Sequence, residues 1–234
     1  MKKEKHQLQE VIESIKPQID TSKLCVVLGS GPSAELYRDE FWDKDKHFTI
    51  GVNSIAKIID EVDILFVQDR LSTVRGRSVE RTNMLIEAVE VMKKTKCKFF
   101  VSRPHRDSTS IIEHLKLEAK GAERYSIEEM SNSESVDSAK SLRVGTTSPI
   151  GALVLAYKLG FKEIIIAGMD LVRKEGATDT DRLEGFATTF DSVELAQLQL
   201  EQVVYQILMS QNMTIWRYSE EQNISLLTYR NRCC

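Results

Sequence analysis

A chain of 234 residues, 41% hydrophobic and 29% charged, has the composition of an ordinary soluble globular protein and the length for one sizeable core. Its formal net charge of -3 leaves no broad basic face, which argues against nucleic acid as a partner. No apolar run approaches the roughly 20 residues of a membrane span, and no apolar h-region follows the charged start Met1 to His6, so the expectation is a cytoplasmic protein without a transmembrane segment.

Leu8, Val11, Ile12 and Ile15 recur at helical spacing, and Pro17 stops this leading helix, assigned to residues 1–20. The apolar run Leu24-Cys25-Val26-Val27-Leu28 predicts a buried strand, followed at once by the turn Gly29-Ser30-Gly31-Pro32-Ser33. Backbone N–H groups in a glycine turn between a strand and a helix suit an approaching phosphate or ribose. Ser33 is placed to cap a short helix running through Tyr37. Phe48 to Val52 reads as a second strand ending at Asn53, and Ile64 to Val67 as a third ending at Gln68-Asp69. Apolar residues at helical intervals from Ser78 to Lys94 predict a helix, and Lys98 to Val101 a fourth strand.

A further strand near Ala122 to Tyr125 leads into the polar run Ser131 to Ser138, expected to be an exposed, mobile loop. Gly145-Thr146-Thr147-Ser148-Pro149-Ile150-Gly151 is a cap-rich helix start, then come a helix from Ala152 to Leu159, a stop at Gly160, and the strand Glu163 to Ala167 with the tip Gly168-Met169-Asp170. The aperiodic stretch from Arg173 to Phe190 reads as a lid. Val193 to Met209 reads as a long helix with Leu195, Leu198, Val203 and Ile207 inward. Short apolar pieces close the chain, and residues 221–234 are assigned to a C-terminal tail. The cysteines Cys25, Cys97, Cys233 and Cys234 lack zinc-ligand spacing and read as reduced thiols.

Alternating strands and helices imply an α/β, Rossmann-like, mainly parallel sheet with helices on both faces, in a single domain over residues 21–220. Ligands of such sheets bind beyond the carboxyl ends of the strands, so Ser30, Asn53, Asp69 and Asp170 belong on one rim. The glycine turn is neither the dinucleotide fingerprint, since Ala34 and Glu35 follow Ser33, nor a P-loop, since the lysine is missing. After the fourth strand, His105 is suited to acid or base work near neutral pH, and Arg103 and Arg106 to phosphate. Simpler roles stand beside these: Asn53 as a strand-end turn residue, Asp69 and Asp170 as helix caps, His105, Arg173 and Lys174 as solvated loop residues.

Leu28 to Ser33, Gly51-Val52-Asn53-Ser54, Val67-Gln68-Asp69, Gly145 to Ser148 and Ile166 to Leu171, in that order, resemble a superfamily joining three groups. They are lipooligosaccharide-type bacterial sialyltransferases, motility-accessory-factor glycosyltransferases, and archaeal hydroxymethylpterin pyrophosphokinase-like proteins. The resemblance covers roughly residues 22 to 218 and implies a nucleotide-linked donor. By matching position, Ser30 and the backbone of Gly29, Gly31, Pro32 and Ser33 would hold donor phosphate or ribose, and Asn53 the nucleotide. Thr146, Thr147 and Ser148 would add donors at a helix N-terminus, and Gly168, Met169 and Asp170 would lie against ribose or base.

The chain departs from the sialyltransferases in having no histidine after His114, and Leu171-Val172-Arg173-Lys174 stands where a tyrosine assists their leaving phosphate. Their base is therefore not carried over; Asp69, His105 and Asp170 are the candidates, with Arg173 or Lys174 facing the leaving phosphate. The resulting expectation is a glycosyltransferase moving a sugar from a nucleotide donor to a small or saccharide acceptor. One alternative is a pyrophosphokinase in which Asp69 and Asp170 share magnesium, and another is a non-catalytic nucleotide or sugar-phosphate binding module. A second copy of the chain, or the segments 129–143 and 173–190, would complete the site.

Overall fold

The computed structural model describes residues 8–53, 55, 58–67, 98–102, 124–127, 136, 148–170, 190–210, 213–219 and 223–226. Its strands are β1 (Leu24–Leu28), β2 (His47–Val52), β3 (Ile64–Val67), β4 (Lys98–Ser102), β5 (Arg124–Ile127), β6 (Glu163–Ala167), β7 (Thr214–Ser219) and β8 (Asn223–Leu226). They form one sheet in the order β5-β4-β3-β2-β1-β6-β7-β8, parallel throughout except for the antiparallel β7/β8 pair. The helices are α1 (Leu8–Ile15), α2 (Ser33–Glu40), α3 (Ser148–Leu159) and α4 (Phe190–Ser210).

The inner strands β1, β2 and β6 are covered on both faces, which is why β1 and β6 read as nearly unbroken apolar runs. Alternate side chains go to opposite cores. Cys25, Val27, Ile50, Ile164 and Ile166 pack with α1, α3 and α4 on one face. Val26, Leu28, Ile165 and Ala167 pack with Ala34 and Tyr37 of α2 and with Ile55, Ile58, Ile59 and Val62 on the other. The fold is therefore the expected Rossmann-like α/β arrangement, with helices on both faces. Helix α3 is buried from Ile150 to Tyr157, matching a segment that is apolar all round.

Several boundaries and faces differ from the expectation. Helix α3 starts at Ser148 and not at Ala152, because Pro149 suits a first helical turn and Gly151 is accepted inside it. Along α4 the inward stripe is Ala196, Leu200, Val203, Val204 and Ile207, whereas Leu195 and Leu198 are 45% and 61% exposed. The helix is apolar on two sides, and spacing alone does not say which one meets the sheet. Val136, from the segment expected to be an exposed loop, is 1% exposed, packs in the larger core and donates its N–H to Gln206 Oε1 of α4 at 2.7 Å. The segment set apart as a tail contributes β8, the edge strand registered on β7. The expected helix at 78–94 and lid at 173–190 lie outside the described residues, apart from the first residue of α4. Among the described residues no helix is long and apolar enough to cross a membrane.

At the end of the sheet opposite the carboxyl ends of the parallel strands, His47 opens β2, and its Nδ1 accepts the Asp43 N–H at 3.2 Å. Burial lowers the His47 pKa from its ordinary value. The unfolded chain then takes up the proton first, so stability is fullest above the unfolded pKa of about 6.5 and falls as pH drops through it. The stability advantage of wild type over His47→Gln, measured by urea denaturation, should shrink between about pH 7.5 and about pH 5; an unchanged difference would exclude His47 as a source of acid sensitivity.

Candidate functional site

The chain leaves β1 for β2 on one side and returns to β6 on the other, so the strand order reverses between β1 and β6. A crevice opens at the carboxyl ends of the strands at such a point, and ligands of open α/β sheets bind there. The turns Gly29–Ser33 and Gly168–Asp170 enter this crevice, with Asn53 at the end of β2 and Ser148 at the start of α3 beside it.

The two turns are sewn together. Gly29 N–H donates to Ala167 O at 2.8 Å and Gly31 N–H to Gly168 O at 3.0 Å, extending the β1/β6 pairing past the strand ends. A Cβ on Gly29 would run into the Gly168 carbonyl, and a Cβ on Gly168 into the Gly29 carbonyl. Gly168 also has φ of +68°, a conformation that glycine adopts without strain.

Ser33 is fully buried, and it does not cap its own helix. Its Oγ accepts the Gly168 N–H at 2.9 Å, while its N–H donates to Asp170 Oδ2 at 3.0 Å. The cap of α2 is thus the carboxylate of Asp170, from 137 residues further along the chain, where it also meets the positive end of the helix dipole. The N–H groups of Gly29, Gly31 and Ser33, read from sequence as open to phosphate, are engaged by Ala167, Gly168 and Asp170.

Asn53 has φ of 51°, which asparagine tolerates better than most residues, and its N–H donates to Phe66 O at 3.0 Å. Its Nδ2 donates to Ser148 Oγ at 3.1 Å, tying the end of β2 to the first residue of α3. Pro149 comes within 3.4 Å of the place a Gly29 Cβ would occupy, so α3 begins between Asn53 and the glycine turn. The structure therefore brings Ser30, Asn53, Ser148 and Asp170 to one rim, each half-buried, with Pro32 half-buried beside them. Met169 differs: its side chain is buried in the core, leaving its backbone at the site. Asp69, His105, Thr146, Thr147, Arg173 and Lys174 lie outside the described residues.

Sequence reasoning missed Arg217. It lies on β7 beside Ile166, and its Nη2 donates to Met169 O at 2.9 Å and Asp170 O at 3.0 Å. Burial pushes its guanidinium below the ordinary value, and the charge of Asp170 opposes that shift. The signal in the sequence was a cation inside the otherwise uncharged run Thr214 to Ser219.

Chemically, the rim offers a carboxylate, a carboxamide and two hydroxyls, a set that hydrogen-bonds a hydroxyl-rich ligand from several directions. Among the described residues no three His, Cys, Asp or Glu side chains gather as a metal site. Compared with family models, with curated proteins and with solved structures, the chain matches none.

Ser33→Ala would leave the buried Gly168 N–H without its acceptor. That should cost about 1–3 kcal/mol in urea denaturation with little change in slope. Retention of wild-type stability would mean that the two turns do not depend on this bond.

Proposed function

We propose that this chain is a transferase using a nucleotide-linked donor, most specifically a glycosyltransferase acting from a nucleotide sugar. The observation that supports the reading is the convergence of the turns after β1 and β6, Asn53 and Ser148 on one crevice at the strand-order reversal. The order of sequence motifs that resembles nucleotide-dependent transferases supplies those same residues.

In this reading, Ser30, Asn53, Ser148 and the second oxygen of Asp170 take hydroxyl and carbonyl groups of the nucleotide. The engaged N–H groups of Gly29, Gly31 and Ser33 favour a ribose over a phosphate against the glycine turn. Glycosyl transfer breaks the bond from the sugar anomeric carbon to the donor phosphate oxygen and forms one to the acceptor oxygen. The acceptor proton goes to a base, for which Asp69, His105 and Asp170 are the candidates, and the electron pair of the broken bond leaves with the phosphate. Arg173 or Lys174 would neutralise that leaving group. In the pyrophosphokinase alternative Asp170, whose Oδ2 accepts the Ser33 N–H, would use its other oxygen to share magnesium with Asp69.

Calorimetric titration with cytidine, uridine, guanosine and adenosine nucleotides, with and without magnesium, tests the proposal. Metal-independent binding of a nucleoside mono- or diphosphate is expected; triphosphate binding that requires magnesium would favour pyrophosphoryl transfer. Binding of no nucleotide would overturn both. Transfer of sugar from the bound donor to an acceptor would separate an enzyme from a binding module. For the rim itself, Asn53→Gly keeps the left-handed backbone available and removes the side chain. It should weaken nucleotide binding about three- to tenfold, as for one lost hydrogen bond, with folding intact; unchanged affinity would remove Asn53 from the site.

A further inference from the structure

Arginine in the body of a sheet is costly, since its charge is taken from water and needs compensation. Arg217 occurs in β7, between the buried Tyr218 and the apolar Trp216, in register with Ile166 of the apolar strand β6. Packing alone would be served at lower cost by an aliphatic residue there. What the guanidinium does hold is specific: one nitrogen, Nη2, bonds the carbonyls of Met169 and Asp170 together, at 2.9 and 3.0 Å. These are the peptide units on either side of the Asp170 side chain. That side chain, in turn, reaches Ser33 N–H at the start of α2.

We propose that Arg217 is a positioning residue for the candidate site, fixing the turn after β6 so that the Asp170 carboxylate keeps one oxygen on the α2 N-terminus and presents the other to ligand. The inference rests on the reading of the crevice as a nucleotide site, and it adds a residue outside the motifs that suggested that reading. Arg217 acts through two carbonyls and touches no ligand itself. Lysine can also reach those carbonyls, with a point charge in place of a planar fork, so Arg217→Lys is a partial rescue and Arg217→Met a full removal.

Two readouts test the proposal on the full-length chain. The first is independent of ligand: amide hydrogen exchange of Ser33. In Arg217→Met and in Asp170→Ala the Ser33 amide should exchange at least tenfold faster than in wild type, while core amides of β1 keep their protection, and Arg217→Lys should fall between. The second is affinity for whichever nucleotide the wild type binds in the titration above. Arg217→Met should weaken binding about tenfold in the wild-type background and less than twofold in the Asp170→Ala background, because the residue acts through Asp170. Equal losses in both backgrounds, or a loss of thermal stability with Ser33 exchange and affinity unchanged, would overturn the positioning role. If Arg217→Met fails to fold, Arg217→Lys and Arg217→Gln carry the same comparison. Wild-type protein that binds no nucleotide, yet shows the expected Ser33 exchange, would refute the nucleotide reading and leave Arg217 with only a structural part.

Discussion

The geometry of the rim depends on the backbone-to-backbone contact of Gly29 with Gly168. Each glycine occupies the space where the other would carry a side chain. Only because neither has one can the hydrogen-bond ladder of β1 and β6 run on into the loops, through Gly29 N–H to Ala167 and Gly31 N–H to Gly168. The two turns thereby behave as an extension of the sheet. They do not have the independence of surface loops, whose backbone groups usually bond to water or to themselves.

Helix α2 takes its position from the same contact. With eight residues it is too short to be stable in isolation, so tertiary contacts must hold it. One end is fixed by Asp170 at Ser33 N–H. Tyr37 fixes the middle, buried against Phe41 and Tyr218 with ring centroids 5.8 and 5.3 Å away. Arg38 reaches across to Ile58 O at 2.8 Å. The carboxylate is thus both a structural cap and a rim group, and the burial of Ser33 beneath it explains why a small hydroxyl side chain is required at that point.

Much of the sheet was legible because inner parallel strands must be apolar on both faces, and the runs at β1, β3 and β6 have that character. Direction was less legible than periodicity. Leu195 and Leu198 satisfy the helical spacing as well as Leu200, Val203 and Ile207 do, yet they face away from the core. Val136 sits among serines and an aspartate and looks like loop, whereas it is buried in the larger core and its N–H is held by Gln206, 70 residues later. The sequence marked Gly29 to Ser33, Asn53, Ser148 and Gly168 to Asp170, which the structure brings to one rim, but not that the N–H groups of Gly29, Gly31 and Ser33 are engaged inside the protein. A glycine turn has the same spelling whether it leaves room for a phosphate or for another backbone. Arg217 stands out in the sequence only as a cation in an uncharged run, since its partners are two carbonyl groups, which have no signature there.

This distinction bears on how any anionic ligand would be met. A phosphate cradle needs N–H groups that lack partners inside the protein, and here the glycines' N–H groups face carbonyls while Ser33 N–H faces a carboxylate. A phosphate brought to the α2 N-terminus would have to displace Asp170, replacing one anion by another at the same dipole, and would then leave that carboxylate beside it at a repulsive distance. A sugar hydroxyl meets no such penalty, since it donates to the carboxylate without displacing it. The side of the crevice at Asp170 is therefore suited to neutral hydroxyl groups, and a phosphate is disfavoured at the α2 N-terminus.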